Sequence, residues 1–155
     1  MTSRIVIIPA RGGSKRIPKK NIRDFLGKPI ISYSIENAIK SDLFDEIHVS
    51  TDDDEIFSIV SDLGIKPKFK RSPRLSTDTV PIMDVLRDVQ EKYEKIELFF
   101  DEIWLLLPCT PLLEASDLIS ASDSFASTLN CKAMMSVGEY PAPIEWAFNM
   151  DNVSQ

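Results

Sequence analysis

The chain has 155 residues and a mass of 17.5 kDa, enough for one domain that buries about two-thirds of its unfolded surface. Its composition, 43% hydrophobic and 27% charged, is that of a globular protein, and no apolar run approaches the roughly 18 residues of a membrane-spanning helix. The net charge of −6 conceals an asymmetry: residues 1–28 hold eight Lys or Arg against one acid, Asp24, and the other 127 residues carry −13. An acidic body with one basic segment argues against nucleic acid as a partner and suits a small polyphosphate.

In chain order, apolar runs alternate with segments of helical period. Arg4–Pro9 reads as a strand buried on both faces. It starts too early to leave room for a secretory signal, so a cytoplasmic location is expected, with Cys109 and Cys131 as free thiols. Pro29–Lys40 predicts a helix with Ile31, Ile35, Ala38 and Ile39 on one face. Glu46–Ser50 predicts a second strand, where His48 is a packing residue. Thr51, Asp52 and Asp53 supply cap and first-turn residues for a helix that runs to about Leu63 and ends at Gly64. Asp52, Asp53 and Asp54 offer hard oxygens that suit Mg²⁺, and capping by Asp52 or Asp53 is the plainer account.

Further along, Ile65–Phe69 reads as a short third strand, and a polar loop covers residues 70–79. Pro81–Tyr93 predicts a helix with Ile82, Val85, Leu86 and Val89 aligned. Glu102–Leu107 is the most buried-looking strand, and Ser116–Ser127 predicts a helix with Leu118, Ile119 and Phe125 inward. Lys132–Val137 reads as a final strand. The tail after Gly138 has prolines at 141 and 143 and no clear period. This alternation predicts an α/β fold with a mostly parallel sheet between helices, whose ligands sit beyond the carboxyl ends of the strands.

The loop after the first strand carries the chemistry. Arg11, Gly12, Gly13, Ser14, Lys15, Arg16, Lys19, Lys20 and Asn21 follow Pro9-Ala10. The glycines let backbone N–H groups approach phosphate oxygens, Arg11 can bind a phosphate through two parallel hydrogen bonds, and Lys15 and Lys20 act as point charges. The spacing is neither that of a Walker A loop nor that of a dinucleotide fingerprint.

Ile8–Ile22, with Gly27-Lys28-Pro29-Ile30, resembles the nucleotide-binding signature of the acylneuraminate (CMP-sialic acid type) cytidylyltransferases. Further matches are Phe44–Asp52, Lys70-Arg71-Ser72-Pro73 with Leu75–Thr79, and Leu107-Pro108-Cys109-Thr110-Pro111-Leu112. Tyr140–Phe148 resembles the pseudaminic acid branch; a loop packing Trp146 and Phe148 on the core is the alternative.

The resemblance implies a Rossmann-like three-layer sandwich in one nucleotidyltransferase domain. It implies CTP and a nine-carbon acidic sugar as substrates, a CMP-sugar and pyrophosphate as products, and Mg²⁺ as cofactor; it allows a homodimer and calls for neither nucleic acid nor membrane. It assigns Arg11, Lys15 and Lys20 to the triphosphate, where they would neutralise charge on the departing pyrophosphate. Asn21 matches a contact near the ribose or α-phosphate, and Ala10, Arg71 and Val80 match the cytosine pocket. Gly12, Gly13 and Ser14 complete the nucleotide-binding set. The chain departs from the family in two ways. It stops before the segment whose carboxylate pair holds Mg²⁺, and it has Leu107 where a polar Gln is usual. A binding module of the same fold, without catalysis, is the alternative reading.

Overall fold

The computed structural model describes residues 2–139. Strand β1 (Arg4–Pro9) is the centre of a three-stranded parallel sheet in the order β4-β1-β5. It pairs with β4 (Glu46–Ser50) from Ile5↔Glu46 to Pro9↔Ser50, and with β5 (Glu102–Leu105) from Arg4↔Glu102 to Ile7↔Leu105. Two-residue strands β2 (Asp24–Phe25) and β3 (Lys28–Pro29) form a small antiparallel ribbon between β1 and the first helix.

Because side chains alternate along a strand, β1 feeds two cores. Val6 and Ile8 pack with Ile31, Ile35 and Ala38 of α1 (Ile31–Ser41), Ile56 and Val60 of α2 (Asp54–Asp62), and Leu118 of α4 (Ala115–Ser127). Ile5 and Ile7 pack on the opposite face with Leu86, Val89 and Tyr93 of α3 (Ile82–Glu94). The result is a three-layer α/β arrangement with helices on both faces of a parallel sheet.

Four expectations need correction. Residues 65–69 form no strand: Pro67 cannot donate to a ladder, and Phe69 instead packs on His48 and Tyr93. β5 ends at Leu105 and is not the most buried strand. Trp104 and Leu106 turn toward the core while Ile103, Leu105 and Leu107 are 38, 40 and 54% exposed, the alternation of a strand covered on one face. Residues 132–137 are not in a strand either, and Met135 and Val137 are exposed. On the helices, Ile39 and Ile119 are also exposed. The 140–148 motif lies outside the described residues.

Candidate functional site

All three strands end on the same side of the sheet, and there the loops after β1 and β4 cross. The loop after β1 is held open by specific contacts. Ala10 N–H donates to the Ser50 carbonyl (2.9 Å), Gly12 N–H to Asp52 Oδ1 (3.1 Å), and Asn21 Nδ2 to the Arg11 carbonyl (2.9 Å). Lys19, in the left-handed region at φ 52°, turns the chain into a 3₁₀ turn at Lys20–Ile22. A cleft of about 650 Å³ lies against this loop.

Of the residues singled out in the sequence, Arg11, Ser14, Lys15, Lys20, Asn21, Arg71 and Val80 line the cleft, as do Leu107 and Pro108. Gly12 and Gly13 belong to the loop behind it. Ala10 is fully buried in the core, so its side chain does not reach the cleft. Asn21 is buried, with its amide occupied by the Arg11 carbonyl and its Oδ1 accepting from the Cys109 thiol at 3.4 Å, so it braces the loop.

Arg71 is buried at the cleft wall. Its Nε donates to Ser50 Oγ (3.0 Å) and its Nη2 to the Ser50 carbonyl (2.6 Å), while its own N–H donates to the Thr51 carbonyl (2.8 Å). Burial lowers its affinity for the proton, an effect opposed chiefly by the nearby Asp52 carboxylate. A guanidinium has five N–H donors, and two are used here, so donors remain for a carbonyl in the cleft.

Arg11 and Lys15 meet a partner from the other wall. Asp78 Oδ1 lies 2.5 Å from Arg11 Nη2, and Asp78 Oδ2 lies 2.5 Å from Lys15 Nζ. Hydrogen bonds from Lys15 and then Arg11 hold the Asp78 carboxyl below the usual carboxylate range. Lys20 makes no ion pair among the described residues. Asp78 lies in the matching segment Leu75–Thr79, but nothing local in the sequence pairs it with Arg11, 67 residues away. Asp52 stood in a recognisable acidic triplet, yet its contact with Gly12 depends on the β1–β4 pairing.

The acidic triplet does not form a metal centre. Asp52 accepts from Gly12, Asp53 caps α2 by accepting from the N–H groups of Glu55 and Ile56, and Asp54 pairs with Lys70. Among the described residues no three His, Cys, Asp or Glu side chains come together to hold a cation, and each carboxylate of the triplet is engaged elsewhere. A Cys–His nucleophile is absent among them too. Burial pushes the Cys109 thiol up, and its contact is Asn21, whereas His48 Nδ1 lies 3.1 Å from the Tyr93 hydroxyl.

The cation-lined cleft at the strand ends coincides with a family-wide sequence match: the pattern described as cytidylyltransferase covers residues 5–104. The chain belongs to the cytidylyltransferase family. Its relatives include the pseudaminic acid cytidylyltransferase of Campylobacter jejuni (serotype O:2), 41% identical over 97% of this chain and 65% of the relative. The CMP-N,N'-diacetyllegionaminic acid synthase of Legionella pneumophila is 33% identical over 96% of this chain and 63% of the relative. The chain thus spans a little under two-thirds of the length of these family members. A CMP:2-keto-3-deoxy-manno-octonic acid synthetase complexed with CTP shares the fold, with a TM-score of 0.68 and 26% identity over 81% of this chain and 48% of that one. No helix among the described residues is long and apolar enough to cross a membrane.

Proposed function

We propose that the protein is a CMP-sugar synthetase that activates a nine-carbon acidic sugar, of the pseudaminic or sialic acid type, with CTP. The observation that carries this reading is the convergence of Arg11, Lys15, Lys20 and Arg71 on one cleft beside a glycine loop in a cytidylyltransferase fold. Arg71 donates to the cytosine carbonyl from the wall beside Val80. Arg11, Lys15 and Lys20 hold the triphosphate, and the sugar hydroxyl attacks the α-phosphorus. Negative charge then grows on the departing pyrophosphate, and cations fixed in advance stabilise it without reorganisation. Mg²⁺ would supply further charge neutralisation in this class of reaction, and none of the roles above depends on it.

CTP should raise the unfolding temperature more than ATP does, and Arg11→Ala should remove most of the increment. Equal stabilisation by every nucleotide would count against a cytidine site. Pyrophosphate release with CTP and a panel of acidic sugars separates the enzyme from a module that only binds nucleotide. Leu107, apolar at the cleft wall where the family usually has a polar Gln, favours that second reading.

A further inference from the structure

The two cations best placed to grip a triphosphate already hold an anion of the protein's own. We propose that Asp78 is a carboxylate latch that stands in for a phosphate between Arg11 and Lys15, and that a polyphosphate opens the 76–80 tip by taking its place. This rests on the reading of the cleft as a nucleotide site.

Both carboxylate oxygens are engaged, one per cation, in the manner of two oxygens of a phosphate. The loop that carries Asp78 is fastened at its ends and loose between them. At one end Arg71 is bound to Thr51 and Ser50, and Ser76 N–H donates to the Pro73 carbonyl. At the other, Ile82 begins α3. Between these anchors Thr77, Asp78 and Thr79 are exposed, and apart from a 3.4 Å contact between the two threonine hydroxyls, the polar contacts of their side chains are the pairs to Arg11 and Lys15.

Such pairs are replaceable. The Lys15 side chain is 82% exposed, and ion pairs in that setting are weak. A polyphosphate brings several charges against one carboxylate. It captures both cations at once and repels Asp78. Cytidine alone has nothing to displace it with. Because Thr77 and Val80 line the cleft beside Arg71, releasing the tip also reshapes the wall next to the proposed base site.

The experiment compares wild type with Asp78→Asn, and with Asp78→Ala as a second variant. Binding of inorganic pyrophosphate, CTP and cytidine is measured by calorimetry, with circular dichroism to confirm folding. Both variants should bind pyrophosphate and CTP about three- to tenfold more tightly, the scale of two weak ion pairs no longer competed for, and cytidine unchanged. In hydrogen exchange on wild type, pyrophosphate should protect residues 11–15 but accelerate the 76–80 tip; in the variants the tip should exchange fast from the start. Wild-type binding with no gain in either variant, a gain that extends to cytidine, or a tip that slows on adding pyrophosphate would each overturn the latch while leaving the nucleotide site standing. Failure of wild type and variants alike to bind pyrophosphate or CTP would overturn the nucleotide site and the latch together.

Discussion

Gly12 is needed for closeness rather than for an unusual dihedral angle. A Cβ built there would lie 2.4 Å from Asp53 Oδ2 and 2.8 Å from Asp53 Cβ. Asp53 cannot swing aside freely, because its Oδ1 accepts from Glu55 N–H (2.9 Å) and Ile56 N–H (3.1 Å). Gly12→Ala should therefore push the loop away from Asp52, cost roughly 1–3 kcal/mol of stability as overpacking does, and abolish stabilisation by CTP. Gly13 is the control: a Cβ there meets nothing within 4 Å, so Gly13→Ala should leave the unfolding temperature within about a degree or two of wild type. Both substitutions are read by thermal unfolding with and without CTP. Two adjacent glycines look alike in the sequence, and only the packing of α2 beneath the loop tells them apart.

At the scale of elements, α2 shows how a cap does two jobs. Asp53 closes the first turn of the helix, aided by Asp54 and Glu55 in that turn, and its fixed position sets the floor of the loop. Asp53→Ala should cost about 1 kcal/mol, lowering the unfolding midpoint by a few degrees, and Asp53→Ser should recover most of it; thermal denaturation measures both. Caps and periods of this kind are what a sequence displays openly. β1 and β4 fall at the predicted residues, and α1, α2, α3 and α4 begin or end within a few positions of expectation. The misses share a cause, since a strand exists only if a neighbour accepts its ladder. Ile65–Phe69 has the alternation but carries Pro67, and Lys132–Val137 has the residues without a ladder among the described strands. The apolar run at β5 conceals that its outward residues are exposed. The cleft was legible in part for the same reason. Arg11, Lys15 and Lys20 sit in one short segment, whereas Asp78 reaches them only through the course of the 71–81 loop.

At the scale of the molecule, the second core holds a polar chain among its aromatic rings. The Tyr93 hydroxyl donates to Glu46 Oε1 (2.8 Å), and its single proton is thereby committed, so His48 Nδ1 carries the ring proton and donates to the tyrosine oxygen (3.1 Å). Lys68 pairs with the same glutamate. Burial, reinforced by Lys92, Lys68 and Arg71, draws His48 down to about 3, so the ring is neutral in the folded protein. The unfolded chain binds a proton near 6.5 that the folded one refuses. Stability is therefore complete above about pH 6.5 and is lost as pH falls toward 3, at up to about 1.4 kcal/mol per pH unit. Urea unfolding at pH 7.5 and at 5.5, safely above the pI of about 4.8, should show wild type losing about 1 kcal/mol more than His48→Gln over the same interval. Equal losses in the two proteins would mean that the imidazole is not held neutral.

The double-sided packing of β1 also has a meaning in time. Its parallel partners are far along the chain: Ile5 meets Glu46, and Arg4 waits for Glu102, 98 residues later. At synthesis rates of about 5–20 residues per second, β1 stays unpaired along that edge for roughly 5–20 seconds, with Ile5, Val6, Ile7 and Ile8 among the most apolar residues in the chain. The strand that anchors both faces of the finished protein is thus open to wrong partners while the chain is being made.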